Sequence, residues 1–393
     1  MSEKRKSDTR ARRRGGRTNY RPWLKLLVRL LIIGIVALAV FLLVNNWRKI
    51  APISFLDWYD QTFGTVEKGQ EFPYTLDGSA VIDMAEVSPH LVVLSESSVR
   101  FLTEDAACVA ERNHPFSHPT LHTAGEYVLI TEVGGNRIQL ETRRETALFT
   151  EIENRKIYAG DLAADGTMAF ALSSSSQSYL SEIRVLNTKG EPVFNYQSSK
   201  YLLNDIALSP DGEQIAVTGT SAEGGMLRSA VLVITLADKQ VKEYTGTETL
   251  LHNVSYLSDD VIIAVGDREV WTITGEDAKL SKVACDGVQP VGYAATASLA
   301  CVALRRDGAN DSGVAWIFDE TGELVQQVDY NGELRSVSGR DNEVILLTGT
   351  TLYEVTEAGV RQQYPVPSDS LSAAFYGDEP IVLTFSELKR SKK

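Results

Sequence analysis

Apolar and polar positions are arranged along this chain in two different ways. Residues 24–44 read almost continuously apolar, with an uninterrupted core of fifteen residues at 30–44. Beyond about residue 70 the pattern changes to short alternating runs rich in Val, Ile, Leu, Thr and Tyr, separated by Gly, Pro, Asp and Asn. The first pattern predicts one membrane-crossing helix. The second predicts β-strands without any long amphipathic helix.

The alternating part repeats. One unit is an apolar strand, a turn, and a second strand ending in polar residues. It occurs at 99–103 then 108–111, 138–142 then 147–151, 183–187 then 192–196, and 231–235 then 240–244. It continues at 270–274 then 279–283, 314–318 then 324–328, and 352–356 then 360–364, making seven copies. Gly190, Gly322 and Gly359 fall in these turns, where a positive φ costs glycine little. A second hairpin precedes each unit, clearest at Asp205-Ile206-Ala207-Leu208-Ser209-Pro210-Asp211-Gly212, with a counterpart at Asp161-Leu162-Ala163-Ala164-Asp165-Gly166. Proline presets φ at the second turn position and Asp-Gly supplies the reversal.

Two hairpins per unit make a four-stranded antiparallel sheet. The units start near residues 80, 117, 157, 201, 249, 288 and 333, a spacing of about forty that is the length of a propeller blade. A lone blade cannot bury both faces, so the blades must stack around an axis. The expected fold is all-β, a β-propeller of four-stranded blades over residues 71–393. One further hairpin, at 372–376 and 380–386, has too little chain behind it for a complete sheet. A strand from residues 71–76 would complete it, so eight blades are preferred, with seven the alternative.

On these repeats the chain resembles β-propellers of the quinoprotein and tryptophan-aspartate-repeat kinds over most of residues 70–393. The Trp-Asp dipeptide of the third strand is missing, and no recurrent tryptophan docking motif is visible. The whole layout also looks like uncharacterised bacterial families in which one signal anchor carries an exported propeller. That resemblance implies a location and brings no activity.

The anchor organises the rest of the chain as a basic cytoplasmic tail (1–22), a transmembrane signal anchor (23–47), a juxtamembrane connector (48–70) and the propeller. Its apolar core spans roughly 22 Å, short of a hydrocarbon layer of about 30 Å. Residues 24–28 extend it, and Arg29 sits where its stem can reach the headgroups. Trp23 and Trp47 lie 24 positions apart, roughly 36 Å along a helix, which places them in the two interfacial belts. Residues 1–22 carry nine basic and two acidic side chains, a net of +7, against only Arg48 and Lys49 near the other end. The positive-inside rule then keeps the N-terminus cytoplasmic and the propeller extracytoplasmic. Ala37-Leu38-Ala39 has cleavage-site spacing but lies inside the apolar run, so the segment is expected to stay uncleaved.

Charge narrows the partners. From residue 50 onward there are 26 basic and 50 acidic residues, a net of −24. Such a surface repels nucleic acid and anionic lipid, leaving neutral, cationic or protein partners. The cationic arm at 10–17 suits insertion and contact with anionic lipid better than nucleic acid.

Candidate chemistry is sparse. His114, His118 and His122 are spaced four apart, a ligand spacing on a helix, but Pro115 and Pro119 prevent that helix. In an extended segment His118 and His122 would still share a face, which leaves metal binding as a weak alternative to an ordinary connection between blades. The loop Asp307-Gly308-Ala309-Asn310-Asp311-Ser312-Gly313 is oxygen-rich but lacks the alternating acidic ligands and distal glutamate of a calcium loop. There is no Gly-x-Ser-x-Gly elbow, phosphate loop or paired-cysteine knuckle, and no cofactor is implied. Three cysteines, Cys108, Cys285 and Cys301, cannot all pair within one chain; Cys285 with Cys301 is the one pairing considered, beside separate buried thiols. The expectation is a membrane-anchored propeller that acts as a protein- or ligand-binding scaffold rather than an enzyme. The alternative is an exported hydrolase or lyase on glycans or peptides with a site in the central funnel.

Overall fold

The structure is a computed structural model that describes residue 69 and residues 71–275, 279–308 and 311–391. The basic tail, the anchor with Trp23, Arg29, Trp47 and Arg48, and all of the connector but Gly69 lie outside the described residues, as does Asn310. Among the described residues no helix is long and apolar enough to cross a membrane.

The described chain forms eight four-stranded antiparallel sheets. In chain order, blades 1 to 7 occupy 81–113, 119–151, 157–198, 202–246, 251–284, 288–331 and 334–365. Blade 8 takes three strands, Ser372–Tyr376, Glu379–Leu383 and Glu387–Arg390, and adds Tyr74–Thr75 as its outermost strand. The innermost strands touch in sequence, and that of blade 8 returns to that of blade 1. The result is an eight-bladed β-propeller closed by both ends of the described chain. The C-terminal residues supply one strand more than the sequence suggests, because the second strand stops at Leu383 and Thr384 turns the chain back.

Burial explains the sequence pattern strand by strand. The second strand of each blade is nearly all apolar, as in His90–Ser95 and Val261–Gly266, where every residue is buried. Both of its faces meet neighbouring blades, so alternation is lost. The outermost strands alternate, as in Thr146–Glu151 and Leu324–Asn331, since one row faces solvent. Eight hydrophobic clusters fill the eight gaps between adjacent blades. Gly190, Gly322 and Gly359 all adopt positive φ in the turns assigned to them.

Cys285 packs in the cluster between blades 5 and 6, and Cys301 in that between blades 6 and 7. They lie on opposite sides of blade 6, and all three cysteines are free thiols.

Candidate functional site

The innermost strands start at one face of the ring and end at the other. Their starts share a face with the turns between second and third strands, as the Val133 to Ile157 bridge illustrates. Their ends share the opposite face with the remaining turns. The two faces differ in chemistry.

The turns that follow the innermost strands carry Glu126, Asp165, Asp211, Glu213, Asp259, Asp260, Asp341 and Asp378, and no Lys or Arg. No large apolar side chain is exposed there among the described residues. On the other face stand Val133, Tyr179, Leu180, Met226, Leu227 and Phe385, with exposures of 61 % at Met226 and 74 % at Phe385. Met226 and Leu227 are carried by the ten-residue strands Gln214–Glu223 and Met226–Thr235, which form the longest hairpin of the described chain. The segment leading into the propeller reaches the acidic side. Gly69 N–H donates to Asp105 Oδ2 at 3.0 Å and Glu71 N–H to the Asp105 carbonyl at 3.0 Å, in the last turn of blade 1. From there the chain runs along the edge of blade 8 to the other face, where Leu76 N–H donates to the Ser386 carbonyl at 2.9 Å beside Phe385.

A cavity of about 330 Å³ lies against the innermost strands of blades 2 to 6. Its chemistry comes from His122, Asp161, Asp205, Ser255, Tyr256 and Tyr293, and neither Lys nor Arg lines it. Each aspartate clasps the next blade. Leu208 N–H donates to Asp161 Oδ2 at 2.7 Å, and Val254 N–H to Asp205 Oδ2 at 2.9 Å. A bulge after Leu203 sets Asp205 opposite Thr218 and turns its side chain inward.

Burial dominates the titration of these groups. It pushes Asp205 up to about 7, opposed by the N–H groups of Val254 and Ile206 and reinforced by the Asp161 charge. It pushes Asp161 up to about 6, opposed by the Leu208 N–H. His122 is pushed down to about 4 by burial, so its imidazole is neutral at pH 7. Burial also raises Asp83 on the innermost strand of blade 1. The phenol oxygens of Tyr256 and Tyr293 are buried without a hydrogen-bond partner, although Ser255 lies beside Tyr293.

Of the histidines, His114 bonds the Ser95 carbonyl at 2.9 Å and stacks on Phe116. His118 is exposed beside Glu132, and His122 faces the channel. The described residues contain no group of three or more His, Cys, Asp or Glu able to hold a metal ion. The loop containing Asp307 and Asp311 serves as the turn between the second and third strands of blade 6. Asp161 and Asp205 head the two clearest hairpin repeats of the sequence, where they read as turn chemistry. They are not equivalent: Asp205 lies two residues further from its turn, and a shift of two keeps a strand residue on the same face.

Fold and site together define an eight-bladed propeller with an acidic end, an apolar end and a polar cavity on its axis. Residues 61–371 match the model of the Family of unknown function (DUF5711), and the chain belongs to that family. No protein of curated function matches the sequence. Among solved structures, BamB from Moraxella catarrhalis is similar, with 11% identity, a TM-score of 0.51, and coverage of 82% of this chain and 100% of that one. The dihydro-heme d1 dehydrogenase NirN, solved with DHE, is similar at 12% identity and a TM-score of 0.54, covering 80% of this chain and 75% of its own. At such identities the likeness is one of fold.

Proposed function

We propose that this chain is a single-pass membrane protein whose propeller is held outside the cytoplasm and binds a protein partner through its apolar face. The observation that carries this reading is one-sidedness: apart from the outermost strands, every exposed large apolar side chain of the described residues lies at one end of the ring. The apolar run at 24–44 and the +7 tail support the anchor and its direction. A rigid ring suits such display, since its loops are positioned by a scaffold that need not move.

The enzymatic alternative draws less support. Asp161 and Asp205 are each engaged by a backbone N–H of the next blade, and no nucleophile with an adjacent base lines the cavity.

Photocrosslinking in the native membrane tests the reading. A crosslinker at Phe385 or Met226 should capture one reproducible protein, while one at Glu357 or Asp378 should not. Equal capture from both ends overturns the docking face. Protection of the propeller from protease added to intact cells overturns the orientation.

A further inference from the structure

The axial cavity has a chemical preference that is independent of the docking face. Two carboxyl groups from adjacent blades, Asp161 and Asp205, line it with neither Lys nor Arg among its walls, and the His122 imidazole there is neutral at pH 7. They lie close enough for the charge of one to raise the other. Asp161 accepts from the Leu208 N–H and Asp205 from the Val254 N–H, with the Asn253 amide beside Asp205, and these neutral donors orient the carboxyls without supplying a countercharge.

Independent of the carboxyls, two buried phenol oxygens line the same cavity, and that of Tyr256 has no partner. Tyr256 is only 7 % exposed and its hydroxyl has no protein partner, while that of Tyr293 has only Ser255 beside it. A buried hydroxyl left unpaired costs about 1 to 3 kcal/mol, so a guest that bonds to it recovers that cost. Their rings can also present π-faces to a cation. The turns that follow the innermost strands, at the end of the channel nearest these groups, bear eight acidic residues and no Lys or Arg. Tyr256 itself feels the charges of Asp211 and Asp259. Arg340, which ends the innermost strand of blade 7, is paired with Glu86 at 2.9 Å and bonds the Gly377 carbonyl at 2.6 Å. A field of one sign at a cleft mouth concentrates ions of the other sign.

The guest is better served as an organic than an inorganic cation. No set of three or more metal-ligating side chains exists among the described residues. An ammonium group instead needs a few acceptors spread around it, which carboxylate, hydroxyl and phenol oxygens supply. A cavity of about 330 Å³ suits a small molecule.

We propose that this cavity binds a small organic amine, held between Asp161 and Asp205 and contacted by the phenol oxygens of Tyr256 and Tyr293. Anionic ligands are excluded by the same walls. Protons compete with the amine for the two carboxylates, whereas the amine itself stays charged up to about pH 10. Affinity therefore rises with pH and levels off above about pH 8.

Calorimetric titration of the full chain with 1,4-diaminobutane tests this, with 1,4-butanediol and calcium chloride as controls. The expected result is saturable binding of the diamine alone, at least tenfold tighter at pH 8 than at pH 5.5. Asp161→Asn and Asp205→Asn keep an oxygen for the backbone clasp and should each weaken binding tenfold or more at pH 8. Tyr256→Phe should weaken it several-fold. Melting curves recorded beside the titrations identify any variant that does not fold, and the pH series on the unaltered chain then decides. Absence of saturable diamine binding, equal binding of the diol, preference for calcium, or a pH-independent affinity each overturns the proposal. Failure here leaves the crosslinking outcome untouched, because the two surfaces share no residue.

Discussion

Tyr74 lies in antiparallel register opposite Leu388, so the first described strand of the chain completes the sheet formed by the last. Leu388 is fully buried in the cluster between blades 8 and 1, with Phe72 and Leu91 in the same cluster. The ring thus holds its ends together by strand pairing and by side-chain packing at one place.

Leu388→Ala should destabilise the protein by about 2 to 5 kcal/mol, the usual cost of a large-to-small change in a packed core. Deleting residues 71–76 removes the fourth strand of blade 8 and should raise hydrogen exchange in blades 8 and 1 before the others. Exchange followed by mass spectrometry checks both. A uniform rise over all eight blades would argue against a local clasp.

The Asp205 carboxyl makes stability fall as pH rises. In an unfolded chain it titrates near 3.9, and in the folded protein burial pushes it up to about 7. Between those values the folded state binds more protons, so stability declines from about pH 4 to pH 7. Asp205→Asn removes this penalty and should gain on the order of 4 kcal/mol at pH 8 relative to pH 4. Thermal unfolding at both pH values measures it, and an advantage of equal size at both would refute the assignment.

Glu182 has the opposite sign. Its side chain is fully buried; burial alone would raise it, but Arg184 at 2.5 Å and Arg155 at 3.0 Å hold it below the usual range. Its contribution is present above the ordinary glutamate pKa and is lost as pH falls further. Glu182→Gln leaves two guanidinium groups without a countercharge and should cost about 3 kcal/mol at pH 7. Urea unfolding with an unchanged slope would record that loss as a lower midpoint.

Thiol chemistry separates the cysteines. Cys285 and Cys301 are buried, with burial pushing them up to about 11 and about 12, and Cys108 is exposed. Alkylation of the native protein should label Cys108 first, while unfolding exposes all three. A Cys285–Cys301 crosslink detected without oxidant would contradict their placement on opposite sides of blade 6.

Several elements were legible before any coordinates. The start of every blade from the first to the seventh follows from the forty-residue repeat, because one blade is one unit of alternating strand and turn. Closure at 71–76 was legible too, since the last hairpin lacked strands and the residues before blade 1 could supply one. Strand counts at the C-terminus were less so: residues 387–390, Glu-Leu-Lys-Arg, are polar on one face and short, and only pairing with Tyr74–Thr75 and Leu383 makes them a strand.

What the sequence determined by itself was periodicity: an apolar run at 24–44, a blade length, turn glycines at 190, 322 and 359, and the acidic balance beyond residue 50. Local pattern suffices for these because each depends on neighbours within about ten residues. Only the tertiary structure decided that Asp161, Asp205, Tyr256 and Tyr293, spread over 133 positions from Asp161 to Tyr293, share one cavity. It also decided that the exposed apolar side chains gather at one end of the ring. The physical reason is that each innermost strand contributes only a few residues to the cavity, so the site exists only when successive blades are stacked in the ring.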